Sequence, residues 1–271
     1  MLKDITMGQY FPAESVVHRM DPRMKLILTI LWICMVFVPA NWYGLAATVV
    51  FLFVIILVSN LPVRLVLKSL KPIIPVILLT SIINVFYITK GTLLASFWII
   101  RIYSGGLVTA AFIAVRILCL IAGSSLLTYT TLPTALTDAL ERLLKPLKVL
   151  RVPVHDLAMM MTIALRFIPT LVEETDKIMS AQKARGADLE SGKLLQRVRA
   201  MVPILIPLLA SSFRRAYELA TAMECRCYHG GGGRTRMKEL HLAARDYVAL
   251  LICTGVLAGL IVLNVFVPPV L

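Results

Sequence analysis

Acid is scarce in this chain. The first 128 residues hold three Asp or Glu against ten Lys or Arg. No paired-carboxylate site, Ser-His-Asp set or metal-protease motif appears in the sequence, which argues against the commonest acid–base hydrolases. Histidine is scarce too, and His18, His155 and His241 form no paired motif. Cys225-x-Cys227-x-His229 lacks the second, distant ligand pair that a zinc site needs, so no metal is expected. The five cysteines, Cys34, Cys119, Cys225, Cys227 and Cys253, make no extracellular disulfide framework. Ser124, Ser125 and Asp138 have no base near them in sequence. The segment from Gly186 to Lys193 is superficially similar to a phosphate loop. It has five residues between its glycines instead of four, and Leu194 replaces the Mg²⁺-binding hydroxyl. No cofactor is therefore expected on this chain, and catalysis is the weaker class of function.

What the chain has in abundance is apolar surface and positive charge. Hydrophobic residues make up 59% of 271, more than a soluble domain of this size can hide, and the net charge is +13. In a membrane chain such charge marks the cytoplasmic side and anionic lipid in preference to nucleic acid. The first apolar run begins near Met24, after a charged tail, so no cleaved signal is expected. About 20 apolar residues span a bilayer. Spans are expected at 25–38, 42–59, 72–88, 105–128 and 247–267, with 93–100 interfacial. Arg19, Arg23 and Lys25 place the N-terminus in the cytoplasm, and Arg64, Lys68 and Lys71 place the second loop there. The uncharged hairpin Val38-Pro39-Ala40-Asn41 falls outside, with Trp42, Tyr43, Trp98 and Tyr103 as an outer aromatic belt.

The fold expected is all-α, a polytopic membrane protein of about five spanning helices with a cytoplasmic or interfacial three-helix coupling region. Its parts are an N-terminal tail 1–23, a membrane domain 24–128, coupling helices 129–245 and a last transmembrane helix 246–271. Apolar residues at helical spacing put the three coupling helices at 134–150, 154–183 and 201–227. Pro169 should kink the second.

Two lone arginines end the longer coupling helices, at Ala184-Arg185-Gly186 and Cys225-Arg226-Cys227, 41 residues apart. Small neighbours leave each guanidinium on a bare tip, suited to a groove bearing a carboxylate on another protein. Two tips suggest two copies of a partner. The bland alternative is a basic residue complementing a helix dipole. The methionines Met159, Met160, Met161, Met179 and Met223 are either core or an adaptable surface, and the surface reading is preferred. Arg116 lies mid-span, a functional candidate facing a wet cavity, a backbone carbonyl or a partner, unless span four is shifted. The glycines 230–233 read as a linker.

Three stretches carry a family resemblance. They are Gly8-Gln9-Tyr10 with Ser15-Val16-Val17-His18-Arg19-Met20-Asp21-Pro22-Arg23-Met24-Lys25, then Ala181-Gln182-Lys183-Ala184-Arg185-Gly186, then Ala222-Met223-Glu224-Cys225-Arg226-Cys227-Tyr228. Together they resemble the transmembrane component of energy-coupling factor (ECF) importers, over most of the chain. The third departs from the family pattern, with cysteines where Ala and Gly are common. The resemblance implies a non-enzymatic subunit in a prokaryotic cell (inner) membrane. Its implied partners are two ABC-type ATPases, which carry ATP and Mg, and a small substrate-capturing membrane subunit, either a single one to which the scaffold is dedicated or several that share it. Docking would fall to Arg185 and Arg226 and their neighbours, and the cargo would be a vitamin or other micronutrient. The rival readings are a stand-alone solute transporter, which would need converging polar groups in the spans, and a lipid-modifying enzyme, which would need a polar cluster at the interface.

Overall fold

Asp21 starts the first helix. Its carboxylate accepts the Arg23 backbone N–H at 2.9 Å, and Pro22 follows as the first helical residue, where a missing N–H costs nothing. The structure is a computed structural model that describes residues 10–88, 92–97, 100–150, 153–187, 194–230 and 240–268. Gly8, Gln9, Lys90, Trp98, the Gly192-Lys193 pair and residues 231–233 lie outside the described set.

The elements are α1 (Pro22–Phe37), α2 (Trp42–Val58), α3 (Val63–Leu70), α4 (Ile74–Tyr87), β1 (Leu93–Phe97), β2 (Ile100–Tyr103), α5 (Ser104–Thr130), α6 (Pro133–Leu144), α7 (Val154–Ala184), α8 (Leu194–Cys225) and α9 (Ala244–Phe266). The protein is all-α apart from the β1–β2 antiparallel hairpin, which occupies the segment expected to be interfacial. Two sequence boundaries move. The expected helix 134–150 stops at Leu144 and continues as a 3₁₀ stretch Lys145–Leu150, because Pro146 has no N–H to donate and restricts the residue before it. The third coupling helix begins at Leu194, seven residues before the expected start, and carries Pro203 and Pro207 within it.

Among the described residues four helical stretches are long and apolar enough to cross a membrane: Val63–Tyr87, Ser104–Thr130, Val154–Ala184 and Ala244–Phe266, with Trp42–Val58 a shorter apolar helix. This set differs from the sequence expectation at α1 and α2, which have 16 and 17 residues, and at α7. The apolar character of α7 resides in its first half. Its second half carries Glu173, Glu174, Asp176, Lys177 and Lys183.

The described chain divides into two compact units, 140–238 and 8–139 with 239–271. The boundary is narrower than the coupling region 129–245 read from sequence: residues 129–139 and 239–245 belong to the membrane unit. In that unit α5 packs against α1, α2, α3 and α4, and α9 packs against α1 and α2. Trp32, Met35, Leu52, Cys119, Leu126 and Leu260 form its core. Gly123 lets the Trp32 indole lie directly on α5, since a Cβ there would overlap the ring.

Backbone-directed hydrogen bonds close one end of this unit. Lys25 Nζ donates to the carbonyls of His18 (3.1 Å) and Thr130 (2.8 Å), and Phe11 N donates to Tyr129 O at 3.0 Å. Asp246 is fully buried and accepts from the backbone N–H of Ala243 (2.8 Å) and Asp21 (3.2 Å), tying the starts of α9 and α1 together. The N-terminal motif is therefore a strap, built from capping and buried polar contacts. Within it His18 is hydrogen-bonded to Ser15 Oγ at 2.7 Å and to Phe11 O at 3.0 Å. Burial lowers the His18 pKa below 6.5; the Phe11 carbonyl opposes this and the Lys25 charge adds to it.

Candidate docking site

Both arginine tips are built by the same backbone device. At the end of α7, Gly186 N donates to Lys183 O at 3.0 Å and Ala187 N to Gln182 O at 3.0 Å. At the end of α8, Cys227 N donates to Glu224 O at 2.9 Å and Tyr228 N to Met223 O at 3.0 Å. These are the paired bonds of a Schellman cap, and every donor and acceptor in the second lies 41 residues after its counterpart. The left-handed residue is Gly186 (φ 85°) in one cap and Cys227 (φ 58°) in the other. Each cap turns the chain sharply away just after the arginine. Ala184, Arg185 and Gly186 are exposed, as are Cys225, Arg226 and Cys227. The structure thus gives two equivalent cationic helix ends within one unit.

The same 41-residue spacing recurs where α7 meets α8. Glu174 on α7 accepts from Arg215 Nη2 at 2.6 Å and from the Ser211 hydroxyl. Glu174 stands eleven residues before Arg185, and Arg215 eleven before Arg226. At 1.5 Å per residue, each tip is ~16 Å along its helix from this junction. Gln182 Nε2 donates to Pro203 O at 3.5 Å, so the contact moves back along α8 as it moves forward along α7. The two helices therefore run in opposite senses, and their tips point away from each other. Charge-assisted bonding at the junction fixes where one arm crosses the other.

The Glu174–Ser211–Arg215 junction was not singled out by the sequence reading. Adding 41 to the positions of polar residues on α7 would have pointed to Glu174 and Arg215. On α8, Ile204, Leu208, Ser211, Arg215, Leu219 and Met223 make the less exposed stripe. Its period follows the helix, and Ser211 and Arg215 lie among residues expected to be apolar. A second stripe of Val202, Leu205, Ile206, Leu209, Phe213 and Tyr217 is exposed. Met160 and Met161 on α7 are exposed, while Met159, Met179 and Met223 are half-buried.

Arg116 lies apart from these features. Its Nη2 donates to Pro39 O, and its guanidinium stands 4.8 Å from the Phe112 ring centroid, which itself meets Trp42 edge-on at 5.3 Å. Asn264 on α9 reaches the same hairpin, donating to Val38 O and accepting from Ala40 N at 3.0 Å. The Pro39 carbonyl is one of the partners considered from sequence. Arg116 and Asn264 clamp the α1–α2 hairpin, whose carbonyls would otherwise lack donors in an apolar surrounding.

The CbiQ family, described as cobalt transport protein, matches residues 13–238. The chain is 53% identical to an energy-coupling factor transporter transmembrane protein, EcfT, of Clostridium kluyveri, over 95% of this chain and 98% of that protein. It is 45% identical to the EcfT of Bacillus subtilis, over 97% of each. The chain belongs to this family of ECF transporter transmembrane components. Its membership makes it a transport component of a membrane, in keeping with the apolar helices of the fold. The matched region includes both arginine tips and the strap from Ser15 to Lys25. Among the described residues no group of three or more His, Cys, Asp or Glu could hold a metal ion.

Proposed function

We propose that this chain is the mechanical link of an ECF-type importer, joining two cytoplasmic ATPases to a small substrate-capturing membrane subunit. The observation that carries this reading is the pair of Schellman-capped tips, closed by the same two backbone bonds and pointing apart along antiparallel helices. Each ATPase receives one tip in a groove that supplies a carboxylate to Arg185 or Arg226, because an unpaired guanidinium in such a groove is costly. ATP and Mg belong to the ATPases. Their closure and opening drive the tips, and the Glu174–Arg215 junction converts tip motion into movement of the two arms against each other. The exposed apolar stripe on α8, with Met160 and Met161 on α7, suits a subunit that must change its contacts, and Met-rich surfaces tolerate several such subunits. In this proposal the N-terminus is cytoplasmic, the membrane is the prokaryotic cell membrane, the arms lie at its cytoplasmic surface, and the cargo is a vitamin or other micronutrient.

The test is purification from native membranes in mild detergent, comparing the wild type with the Arg185→Ala/Arg226→Ala chain. Two ATPase chains and a small hydrophobic protein should accompany the wild type. The variant should lose the ATPases, since stranding a buried partner carboxylate costs about 3–5 kcal/mol per site. Retention of both ATPases and of transport by the double variant would sink the proposal.

A further inference from the structure

The membrane unit contains a cleft of about 390 Å³, within the range typical of small-ligand sites. Its floor is buried and made by Trp32 and Met35 of α1, Leu52 of α2 and Leu126 of α5. Its rim is exposed and made by Val54 and Val58 of α2 with Val248 and Ile252 of α9. A cleft whose rim is aliphatic and set between two apolar helices opens toward lipid.

One end differs in chemistry. There the cleft is lined by Lys25 in the first turn of α1, Thr130 at the end of α5 and Arg245 at the start of α9. Three helix ends meet at this level, so it marks a membrane surface. Lys25 is buried, and two of its three N–H donors go to neutral carbonyls. Among the described residues neither Lys25 nor Arg245 has an ion-pair partner within 4.0 Å. Asp21 and Asp246 act on Lys25 from farther away, Arg245 repels it, and the Asp246 carboxylate is already held by two backbone N–H groups. The cleft therefore joins an aliphatic channel to two cations with unspent capacity for an anion.

We propose that this cleft binds one acyl chain of an anionic phospholipid, with the headgroup phosphate against Arg245 and Lys25. A peptide segment would need backbone partners along the whole cleft, and beyond its cationic end the polar side-chain groups are few, chiefly the Trp32 indole N–H and the Thr29 hydroxyl, which already donates to Lys25 O. An anionic amphiphile matches both ends, and basic pockets between membrane helices are suited to such headgroups. The inference depends on membrane insertion and is independent of ATPase docking, so the tip variants should leave it unchanged.

The experiment uses the full chain in phosphatidylcholine vesicles carrying a small fraction of brominated lipid. In a chain with Trp42→Phe and Trp98→Phe, Trp32 alone reports quenching from within the cleft. Brominated phosphatidylglycerol should quench it several-fold more effectively per molecule than brominated phosphatidylcholine, and Arg245→Gln should bring that ratio close to one. Trp42, kept alone through Trp32→Phe and Trp98→Phe, should show a ratio near one. Ala249→Leu narrows the cleft without changing charge, and should weaken quenching of Trp32 by phosphatidylglycerol. Equal quenching of Trp32 by the two lipids, or no quenching, overturns the proposal. So does an anionic preference that is as large at Trp42 as at Trp32, or one that ignores both Arg245→Gln and Ala249→Leu.

Discussion

The α7 and α8 tips share both Schellman hydrogen bonds; they differ in the residue placed in the left-handed position and in the bond from Arg185 N to Ala181 O, which has no counterpart at Arg226. At Gly186 the geometry carries no Cβ penalty. At Cys227 the same geometry costs about 1–2 kcal/mol for an L side chain. Backbone bonding thus fixes the shape of a tip, and the side chain fixes how firmly the shape is held. The difference makes the α8 tip the weaker of two otherwise matched ends. It also shows that the cysteines which depart from the family pattern leave the presentation of the arginine unchanged.

The largest test of this equivalence is docking by single variants. Arg185→Ala and Arg226→Ala should each release one ATPase, with comparable losses of about 3–5 kcal/mol. A loss confined to one variant would show that the tips are alike in shape and unlike in use.

Next in size is a contrast between the tip arginines and the clamped one. Arg116→Leu should destabilise the membrane unit by about 2–3 kcal/mol, because Pro39 O loses a charge-assisted donor. ATPase docking should survive wherever the chain still folds. Thermal unfolding in detergent alongside ATPase pull-down checks this. A fully stable Arg116→Leu chain that no longer supports transport would make Arg116 a working residue in place of a clamp.

The junction between the arms comes third. Glu174→Ala strands Arg215 and Ser211, and should weaken α7–α8 packing by about 1–2 kcal/mol while both tips still dock. The expected signature is intact assembly with slower transport. A double-mutant cycle between Glu174 and Arg215 that returns no coupling would remove the junction from the mechanism.

A smaller effect bears on the caps themselves. Cys227→Gly should increase hydrogen-exchange protection at the Tyr228 amide by about 1 kcal/mol, and Gly186→Ala should lower that of Ala187 by a similar amount. Equal protection in all three chains would show that the strain at Cys227 is not expressed.

The smallest effect is pH dependence in the strap. The folded His18 pKa lies below its unfolded value of about 6.5, so the folded state favours neutral imidazole. Stability from this group is complete above pH ~6.5 and declines as pH falls through that value toward the lower folded pKa. His18→Gln should flatten the slope of unfolding midpoint against pH in this window. A slope that is unchanged in the variant places the titration elsewhere.

Hydropathy and helical spacing made α2, α4, α5 and α9 legible within a few residues, because each needs a long apolar run whatever its neighbours do. The tips were legible for a similar reason: a helix stop and a small-Arg-small pattern are local signals. The early end of α6 was missed although its signal is local: the run of leucines carried the expected helix to 150, and the missing N–H of Pro146 stopped it at Leu144. The beginning of α8 was less visible, since Gln196, Arg197 and Arg199 make the stretch before Met201 read as a polar connection.

Sequence by itself therefore determined an apolar, basic, helical membrane chain with two arginine-tipped arms, since composition and cap residues act over a few positions. Tertiary structure decided that Arg116 clamps the α1–α2 hairpin, that Asp246 ties two helix starts together, and that Glu174 meets Arg215 midway along the arms. It also decided that Lys25 and Arg245 border an aliphatic cleft. Each of these joins residues from 41 to more than 200 positions apart, or from 77 positions apart at Arg116 and Pro39. Such pairings depend on which helix faces meet, and that is settled by the packing of the whole unit.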